Sequence, residues 1–251
     1  MKPPPKTLLK LAGLLSKKKS RRNESLSIAE GVKLVEEALS ANIPLYSVFF
    51  TEDKLNEHPD LAKQVEGTGA RVYPVGEAEM KKISTVKTPP GIVALYRTDF
   101  TPVSRNTGLI VALQGISDPG NLGTILRAAD WFGAEKALLS EEAAELHHPA
   151  AVRGSMGAVF RLPVVENTDL VTELSGLKAS GWKVAVAATR GGQNPRPLKP
   201  AVLLLGDEQG RLPGELEALA DVHFTIRKIG SGESLNLSAA SSILLYEMSK
   251  V

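Results

Sequence analysis

The alternation of hydrophobic and polar positions along the chain predicts short strands and amphipathic helices. The first predicted helix begins at Ser27, because the segment 27–30 (SIAE) has the spacing of a capping box. Apolar residues then recur at helical spacing up to a stop near Asn42, at Ile28, Val32, Val35 and Leu39. We therefore expect a helix at the start of the folded chain.

The pattern from residue 43 to residue 97 predicts a small α/β domain. Strands are expected at 45–50, 71–75 and 92–96, with short helices at 60–65 and 77–83 and a Pro-Gly turn at 87–91. Residues 23–97 therefore form the first predicted domain. A polar segment without periodicity, 98–107, is predicted to be a linker.

Strands and helices also alternate beyond the linker. Strands are predicted at 109–113, 136–139, 183–187, 202–205 and 222–226, and helices at 121–132, 170–180 and 235–249. Such alternation is typical of an α/β fold with a mostly parallel sheet. Residues 108–251 are therefore predicted to form a second, larger domain.

Composition excludes several classes of protein. The 251 residues are 43% hydrophobic and 23% charged, as in an ordinary globular protein. The chain has no cysteine, which excludes disulfides, Cys-ligated zinc, iron–sulfur clusters and thiolate catalysis. Apolar runs such as 201–205 are too short to span a bilayer, so no membrane partner is expected. These features favour a cytoplasmic protein.

Charge is distributed unevenly along the chain. Residues 1–22 contain eight basic and no acidic residues, whereas the rest of the chain has 22 basic and 28 acidic residues. We interpret 1–22 as a flexible basic arm that binds a polyanion, with nucleic acid favoured over a solvated terminus or a transit peptide. The expected RNA-binding residues of this arm are Lys17, Lys18, Lys19, Arg21 and Arg22.

A loop with unusual polar residues connects the first strand of the second domain to its helix. Asn121 has the position of an N-cap for this helix. Arg127 lies off the apolar face of the same helix, where it can form a surface salt bridge or reach a groove.

Two further loops contain unusual polar residues. One follows a predicted strand, and the other precedes the last predicted helix. The segment 206–213 begins with Gly206, directly after a strand. Glu208 in this segment could act as an acid, accept a hydrogen bond from a hydroxyl group or cap a turn. Ser234 and Asn236 lie where the last helix begins. In open parallel sheets, ligands bind in loops at the carboxyl ends of the strands, so these loops are expected to meet.

Other common sites are absent from the sequence. No glycine-rich dinucleotide loop, phosphate-binding Walker loop, serine elbow or metal-spaced set of histidines occurs, which disfavours a Rossmann enzyme and a metal site. The adjacent pair His147 and His148 is predicted to lie on the surface.

Several segments together resemble the SpoU–TrmH family of RNA methyltransferases within the SPOUT superfamily. The segment 153–158 (RGSMGA) is similar to a basic Ser-Met-Gly segment of the family, and 29–31 and 90–94 resemble its ribosomal-protein-like RNA-binding domain. The three motifs that carry the resemblance are 118–133 (DPGNLGTILRAADWFG), 204–208 (LLGDE) and 233–240 (ESLNLSAA).

The resemblance implies a deep trefoil knot that forms a pocket for S-adenosylmethionine, a homodimer, and methyl transfer to a ribose 2′-hydroxyl. Ribosomal RNA of the 23S type is the favoured substrate, with transfer RNA as an alternative, and a non-catalytic knotted RNA-binding protein is a further alternative. Arg153 is implied to bind RNA. The implied catalytic residues are Asn121, Arg127, Glu208 and Ser234, and the implied cofactor-binding residues are Leu205, Gly206, Ile226, Leu235 and Asn236.

Two details of this assignment concern arginines. The family is described with an arginine as the base, but a guanidinium with a pKa above about 12 is a poor proton acceptor. We therefore expect Arg127 to clamp an RNA phosphate or the developing alkoxide. Arg211 stands where the family has glycine, and it could narrow the cofactor pocket or add a phosphate contact.

Overall fold

The structure is a computed structural model, and it describes residues 2–103 and 105–250. Met1, Ser104 and Val251, which belong to the predicted arm, linker and second domain, lie outside the described residues. In chain order the elements are α1 (Lys6–Leu14), α2 (Lys18–Glu24), β1 (Leu26–Glu30), α3 (Val32–Ser40), β2 (Leu45–Phe50), α4 (Glu52–Glu57), α5 (Pro59–Gly67), β3 (Arg71–Pro74), α6 (Glu77–Ile83), β4 (Ile92–Arg97), β5 (Leu109–Leu113), α7 (Pro119–Trp131), β6 (Lys136–Leu139), α8 (Pro149–Ser155), β7 (Val164–Val165), α9 (Leu170–Ala179), β8 (Lys183–Ala187), β9 (Ala201–Leu205), α10 (Gly214–Glu217), β10 (Val222–Phe224) and α11 (Leu237–Ser249).

These elements form two compact units. Unit 1 comprises the described residues up to Thr101 together with His147–Phe160, and unit 2 comprises Pro102–Leu146 and the described residues from Arg161 onward. The chain therefore passes between the units three times. The segment 147–160, which the sequence pattern placed in the second domain, belongs to unit 1.

Unit 1 is built on a four-stranded sheet with the order β1-β4-β2-β3. The first prediction for this unit was wrong, because Leu26–Glu30 is a strand and the helix begins only at Val32. All five strand residues are buried and pair antiparallel with β4, from Leu26 opposite Arg97 to Glu30 opposite Val93. Glu30 caps no helix. Its carboxylate instead accepts hydrogen bonds from the side chain of Ser84 and the backbone N–H of Thr85.

The basic N-terminal segment is not a flexible arm, which corrects the prediction. It forms α1 and α2, and Leu8, Leu9 and Leu11 pack against a core that includes buried Ala12 and Leu15. The leucines occur at helical spacing, so their burial against the sheet stabilises α1. The leucines of this segment therefore form the core-facing side of a helix.

The segment 147–160 is held in unit 1 by polar and aromatic contacts. Ser27 Oγ donates to the carbonyl oxygen of His147 at 2.6 Å, and Tyr96 Oη lies 3.0 Å from Nδ1 of His147. The ring of Phe160 packs edge-on against Tyr96. Nδ1 of His148 accepts from the Ala150 N–H at the start of α8. Both histidines are half-buried and hydrogen-bonded, so the prediction that they lie on the surface holds only in part.

Unit 2 is built on a six-stranded sheet with the order β10-β8-β9-β5-β6-β7, in which every pair of neighbours is parallel. The α/β class and the parallel sheet are thus confirmed, and β5, β6 and β8 have the predicted bounds. The chain adds β6 and β7 on one side of β5. It then crosses to the other side, where it forms β8 and afterwards inserts β9 between β8 and β5, so β5 and β9 flank a topological switch point. The knot implied by the resemblance stays a prediction.

Candidate active site

The first loop of the site connects β5 to α7. Asp118 is the N-cap of α7, and its Oδ1 accepts the N–H of Asn121 at 2.7 Å. Pro119 follows at the first helical position, where its missing N–H and its restricted φ favour a helix start. The prediction that Asn121 is the N-cap was therefore wrong. Asn121 lies in the first turn, and its side chain is available for another contact.

The second loop follows β9 and is bound to the first. Oε1 of Glu208 accepts the N–H groups of Ser117 and Asp118, each at 2.9 Å, although 90 residues or more separate these positions in the chain. Partial burial acts to raise the pKa of Glu208, but the hydrogen bonds from Asp118 and Ser117 outweigh it and hold the pKa below the usual value. The carboxylate therefore stays ionised and acts as a bridge between the two loops.

Gly206 and Arg211 shape the second loop. A Cβ atom on Gly206 would lie 2.5 Å from the carbonyl oxygen of Arg211, so only glycine allows the loop to close on itself here. The Arg211 side chain is paired with Asp207, with Nε 2.7 Å from Oδ2. Partial burial acts to raise the pKa of Asp207, but hydrogen bonds from Arg211 outweigh it and lower the pKa. Arg211 is thus held by a carboxylate at the loop surface.

The third loop ends at Asn236, which caps α11. Oδ1 of Asn236 accepts the N–H of Ser238 at 2.9 Å, and Nδ2 donates to Oδ1 of Asn121 at 3.2 Å. One side chain therefore satisfies the start of α11 and also joins the third loop to the first. Since Asn121 is itself bound to Asp118, and Asp118 to Glu208, a continuous set of hydrogen bonds links all three loops.

A cavity of about 470 Å³ lies beside this hydrogen-bonded set, where β8, β9 and β10 end. Its apolar wall consists of Ala187, Phe224, Leu237, Ala240 and Leu244. The other lining residues come from the three loop segments that leave these strands, 188–189, 206–210 and 226–235. Its position at the carboxyl ends of parallel strands is the one expected for a ligand site.

The sequence-predicted site residues divide into three groups. Gly206, Glu208, Ile226, Ser234 and Leu235 line the cavity. Asn121 and Asn236 do not line it but belong to the hydrogen-bonded set beside it. Leu205 is buried in β9, with its carbonyl oxygen bound to the N–H of Gln114, and Arg127 is exposed on α7, two turns from Asn121.

The positive charges at this cavity were not predicted from the sequence. Arg227 and Lys228 also line it, shortly after β10 ends at Phe224, and both are exposed. Within the described chain, residues 226–235 form no hydrogen bond between main-chain groups, so their N–H and C=O groups face solvent or a ligand. The signal that could have found these residues was a pair of adjacent cations at the end of an apolar strand.

The residues predicted to bind RNA in the N-terminal segment differ in exposure. Lys17, Lys18, Lys19 and Arg22 are exposed at α2. Arg21 is only 2% exposed, and its Nη1 donates to the carbonyl oxygens of Leu15 and Ser16 at 2.8 and 2.9 Å. Arg21 is therefore a structural residue, and its prediction as an RNA contact was wrong.

Arg153, the remaining residue predicted to bind RNA, is exposed on α8 in unit 1. A search of residues 2–103 and 105–250 finds no group of three or more side chains that could hold a metal ion. In the same residues, no helix has both the length and the apolar composition needed to cross a bilayer.

Comparison with known proteins agrees with this architecture. The chain is 27% identical over 237 residues to the 23S rRNA (guanosine(2553)-2′-O)-methyltransferase RlmP of Bacillus subtilis, covering 93% of this chain and 92% of that protein. The crystal structure of an rRNA methyltransferase from Sinorhizobium meliloti superposes with a TM-score of 0.82 at 30% identity and covers 96% of this chain and 93% of that one. The AdoMet-bound rRNA methyltransferase from the same organism superposes with a TM-score of 0.81 at 29% identity, covering 96% and 94%.

Two family profiles match successive parts of the sequence. The MRM3-like substrate binding domain matches residues 6–94, which lie in unit 1. The SpoU rRNA Methylase family matches residues 108–246, more than half of the chain, and this range contains the cavity and all three loops. The chain therefore belongs to the SpoU rRNA methylase family.

Proposed function

We propose that this protein transfers a methyl group from S-adenosylmethionine to a ribose 2′-hydroxyl of 23S-type ribosomal RNA. The observation that carries the proposal is the cavity at the ends of β8, β9 and β10. It is joined to the Asn121 loop by the hydrogen bond that Glu208 accepts from the Asp118 N–H and the one that Asn236 donates to Asn121. The B. subtilis relative, whose name specifies 2′-O-methylation of 23S rRNA, supports this choice of substrate. We expect the protein to act in the cytoplasm.

The residues present fit S-adenosylmethionine. The cavity volume of about 470 Å³ is in the range of sites for ligands of this size. The apolar wall around Phe224 and Leu244 suits an adenosine ring, and the unpaired main-chain groups of 226–235 can hydrogen-bond its polar edge. Ile226 and Leu235 would enclose the ring, while Ser234 would meet the polar part of the ligand. When bound, S-adenosylmethionine supplies an electrophilic methyl group on a sulfonium.

The described residues support distinct roles in the transfer. Arg127 is exposed within two turns of Asn121, and its planar guanidinium can bind a phosphate or the oxygen that becomes negative as the hydroxyl loses its proton. No histidine lines the cavity, so holding the reactants in place must supply much of the rate. Glu208 accepts hydrogen bonds from two backbone N–H groups, which favours a positioning role over proton transfer.

Unit 1 supplies a surface suited to the RNA backbone. Exposed cations lie on α1, α2 and α6, with α1 packed against α6: Lys6, Lys10, Lys17, Lys18, Lys19, Arg22, Lys81 and Lys82. Lysines and arginines of this kind neutralise phosphates without reading sequence. Because α1 and α2 are folded, this surface is preorganised, and we propose that it holds the RNA together with Arg153.

We also propose that two copies of the chain form a homodimer through α7 and α11. Trp131 on α7 is 82% exposed, and Ile243 and Tyr246 on α11 are 40% and 50% exposed. The two helices pack on one another, with the rings of Phe132 and Tyr246 in contact. Large apolar side chains exposed together favour a protein interface. Replacing Trp131 by Glu should convert a dimer to a monomer in sedimentation experiments, and a wild-type monomer would contradict this proposal.

The test of the proposed function is methylation of unmodified RNA by the purified protein. Transcripts of 23S rRNA and of total transfer RNA would be incubated with labelled S-adenosylmethionine and then digested with alkali. A 2′-O-methyl group blocks cleavage of the adjacent phosphodiester, so label should remain in alkali-resistant dinucleotides from 23S rRNA. Label in transfer RNA alone would contradict the proposal. Label released in mononucleotides after alkaline digestion would contradict it as well, because it would lie outside the 2′-hydroxyl.

A further inference from the structure

Three exposed cations lie in the cavity lining of unit 2 or next to it in the chain, and none belongs to the motifs that define the family resemblance. Arg227 and Lys228 line the cavity, and Arg190 follows the lining residue Thr189. We call Arg190, Arg227 and Lys228 the mouth cations. They lie on the two segments that leave β8 and β10, which are adjacent parallel strands, so they share one edge of the sheet.

The local fold keeps these two segments together. The N–H of Gln193 donates to the carbonyl oxygen of His223 at 2.8 Å. The N–H of Thr225 donates to the carbonyl oxygen of Gln193 at 2.9 Å. The chain after β8 therefore forms a short loop at 188–192 that returns to the end of β10. Arg190 lies in this loop, and Arg227 follows Thr225 by two residues.

The mouth cations lack acidic partners. Among residues 2–103 and 105–250, no carboxylate lies within ion-pair distance of any of the three. Two acidic residues of the cavity lining are already bound, since Asp207 pairs with Arg211 and Glu208 accepts backbone N–H groups. Glu233 also lines the cavity, but it forms no ion pair with Arg227 or Lys228.

Unpaired, solvated cations at the entrance to a site attract an anion. We infer that the mouth cations bind the phosphates on either side of the ribose that receives the methyl group beside the cavity, as an RNA-binding surface of unit 2 that is separate from the one in unit 1. This inference rests on the proposed function. Exposed side chains suit phosphates that remain outside the cavity, and two arginines with one lysine match the bidentate and point-charge contacts that phosphate accepts.

The test compares two triple variants of the full chain. In the first, Arg190→Gln, Arg227→Gln and Lys228→Gln remove the mouth cations. In the matched control, Lys136→Gln, Lys183→Gln and Lys199→Gln remove the same charge from the opposite edge of the sheet, where β6, β8 and β9 begin. Binding to a short single-stranded oligouridylate would be measured over a range of salt concentrations, and S-adenosylhomocysteine binding would be measured by calorimetry.

The inference predicts a difference between the two variants. Each lost phosphate contact should reduce the salt slope by about 0.7, so the mouth variant should lose roughly 2 units of slope and about tenfold in RNA affinity. The control should keep the wild-type slope within about 0.5. The substitutions change side chains only and keep the main-chain groups of 226–235 that are proposed to hold the donor. S-adenosylhomocysteine binding should therefore be the same in all three proteins, which also shows that the variants are folded.

Two results would overturn the inference. Equal RNA binding by the mouth variant and the control would show that these cations do not contact phosphates. Weaker binding of S-adenosylhomocysteine, with unchanged binding of methylthioadenosine, would show that they bind the donor's carboxylate instead. The readout is binding and not turnover, so this test is independent of the methylation test. A protein that does not methylate 23S rRNA could still bind RNA through the mouth cations, and a protein that methylates it could bind RNA without them.

Discussion

Unit 1 and unit 2 both display basic residues, but they hold their functional groups in different ways. The cations of unit 1 are separate exposed side chains on helices, and the loss of one leaves the others in place. In unit 2, the groups at the cavity depend on hydrogen bonds between loops that are distant in sequence, such as Asn236 to Asn121 over 115 residues. RNA binding by unit 1 should therefore tolerate the loss of one exposed cation, whereas the site in unit 2 should not tolerate the loss of one of its linking groups.

The largest expected effect in unit 2 is on turnover. Arg127→Ala should lower the methylation rate by about 10²- to 10³-fold, the usual cost of losing a charged group that stabilises a developing oxyanion. The thermal unfolding midpoint should not change, because Arg127 is exposed. Single-turnover kinetics would measure the loss. Substantial turnover by Arg127→Lys would count against bidentate binding by the guanidinium.

The second substitution in unit 2 tests whether the glycine at the end of β9 is required. Gly206→Ala places a Cβ against the Arg211 carbonyl oxygen, so the loop must move. Overpacking of this kind costs about 2 kcal/mol, equivalent to roughly a 30-fold loss of S-adenosylhomocysteine affinity. Gly214→Ala is the matched control, since a Cβ there meets nothing within 4 Å. Similar affinities of both variants in equilibrium dialysis would contradict this account.

Two neighbouring arginines in unit 1, one buried and one exposed, should differ in their effect on stability and on RNA binding. Arg21→Gln should lower the free energy of unfolding by about 1–3 kcal/mol, because it removes a buried group bound to two carbonyl oxygens. Arg22→Gln should leave stability within about 0.5 kcal/mol and reduce the salt slope of RNA binding by roughly 0.7. Urea unfolding and filter binding would measure the two effects. Equal destabilisation by both variants would contradict the claim that Arg21 stabilises the fold and Arg22 does not.

The smallest effect separates the two contacts of Asn236. Asn236→Ala should destabilise the protein by about 1 kcal/mol through loss of the α11 cap. The alanine variant also loses the hydrogen bond to Asn121, so its methylation rate should fall. Asn236→Asp keeps an oxygen acceptor for the cap but removes the donor to Asn121. It should therefore have most of the wild-type stability but the low methylation rate of the alanine variant. Recovery of both properties in the aspartate variant would show that the cap alone matters.

The sequence predicted the elements of unit 2 well, for a physical reason. Strands such as Leu109–Leu113 are buried on both faces of a parallel sheet, so they form apolar runs bounded by polar loops. The same approach failed at residues 27–30. Their Ser-x-x-Glu spacing predicts a helix start, but pairing with β4 buries all four residues and determines a strand instead.

The candidate site was predictable only in part. The motif residues Gly206, Glu208 and Ser234 line one cavity, because parallel strands bring their loops to one edge. Local spacing could not show that Asp118 caps α7 in place of Asn121, since both residue types are good caps. It also could not separate Arg21 from Arg22, because burial depends on how α2 packs.

The most direct test of the central claim is a crystal structure of the full chain with S-adenosylhomocysteine. The account predicts one molecule in the cavity at the ends of β8, β9 and β10, with its adenine between Ile226 and Leu235 and its main-chain partners in 226–235. Density for the ligand at any other place in unit 2, or in unit 1, would contradict the account.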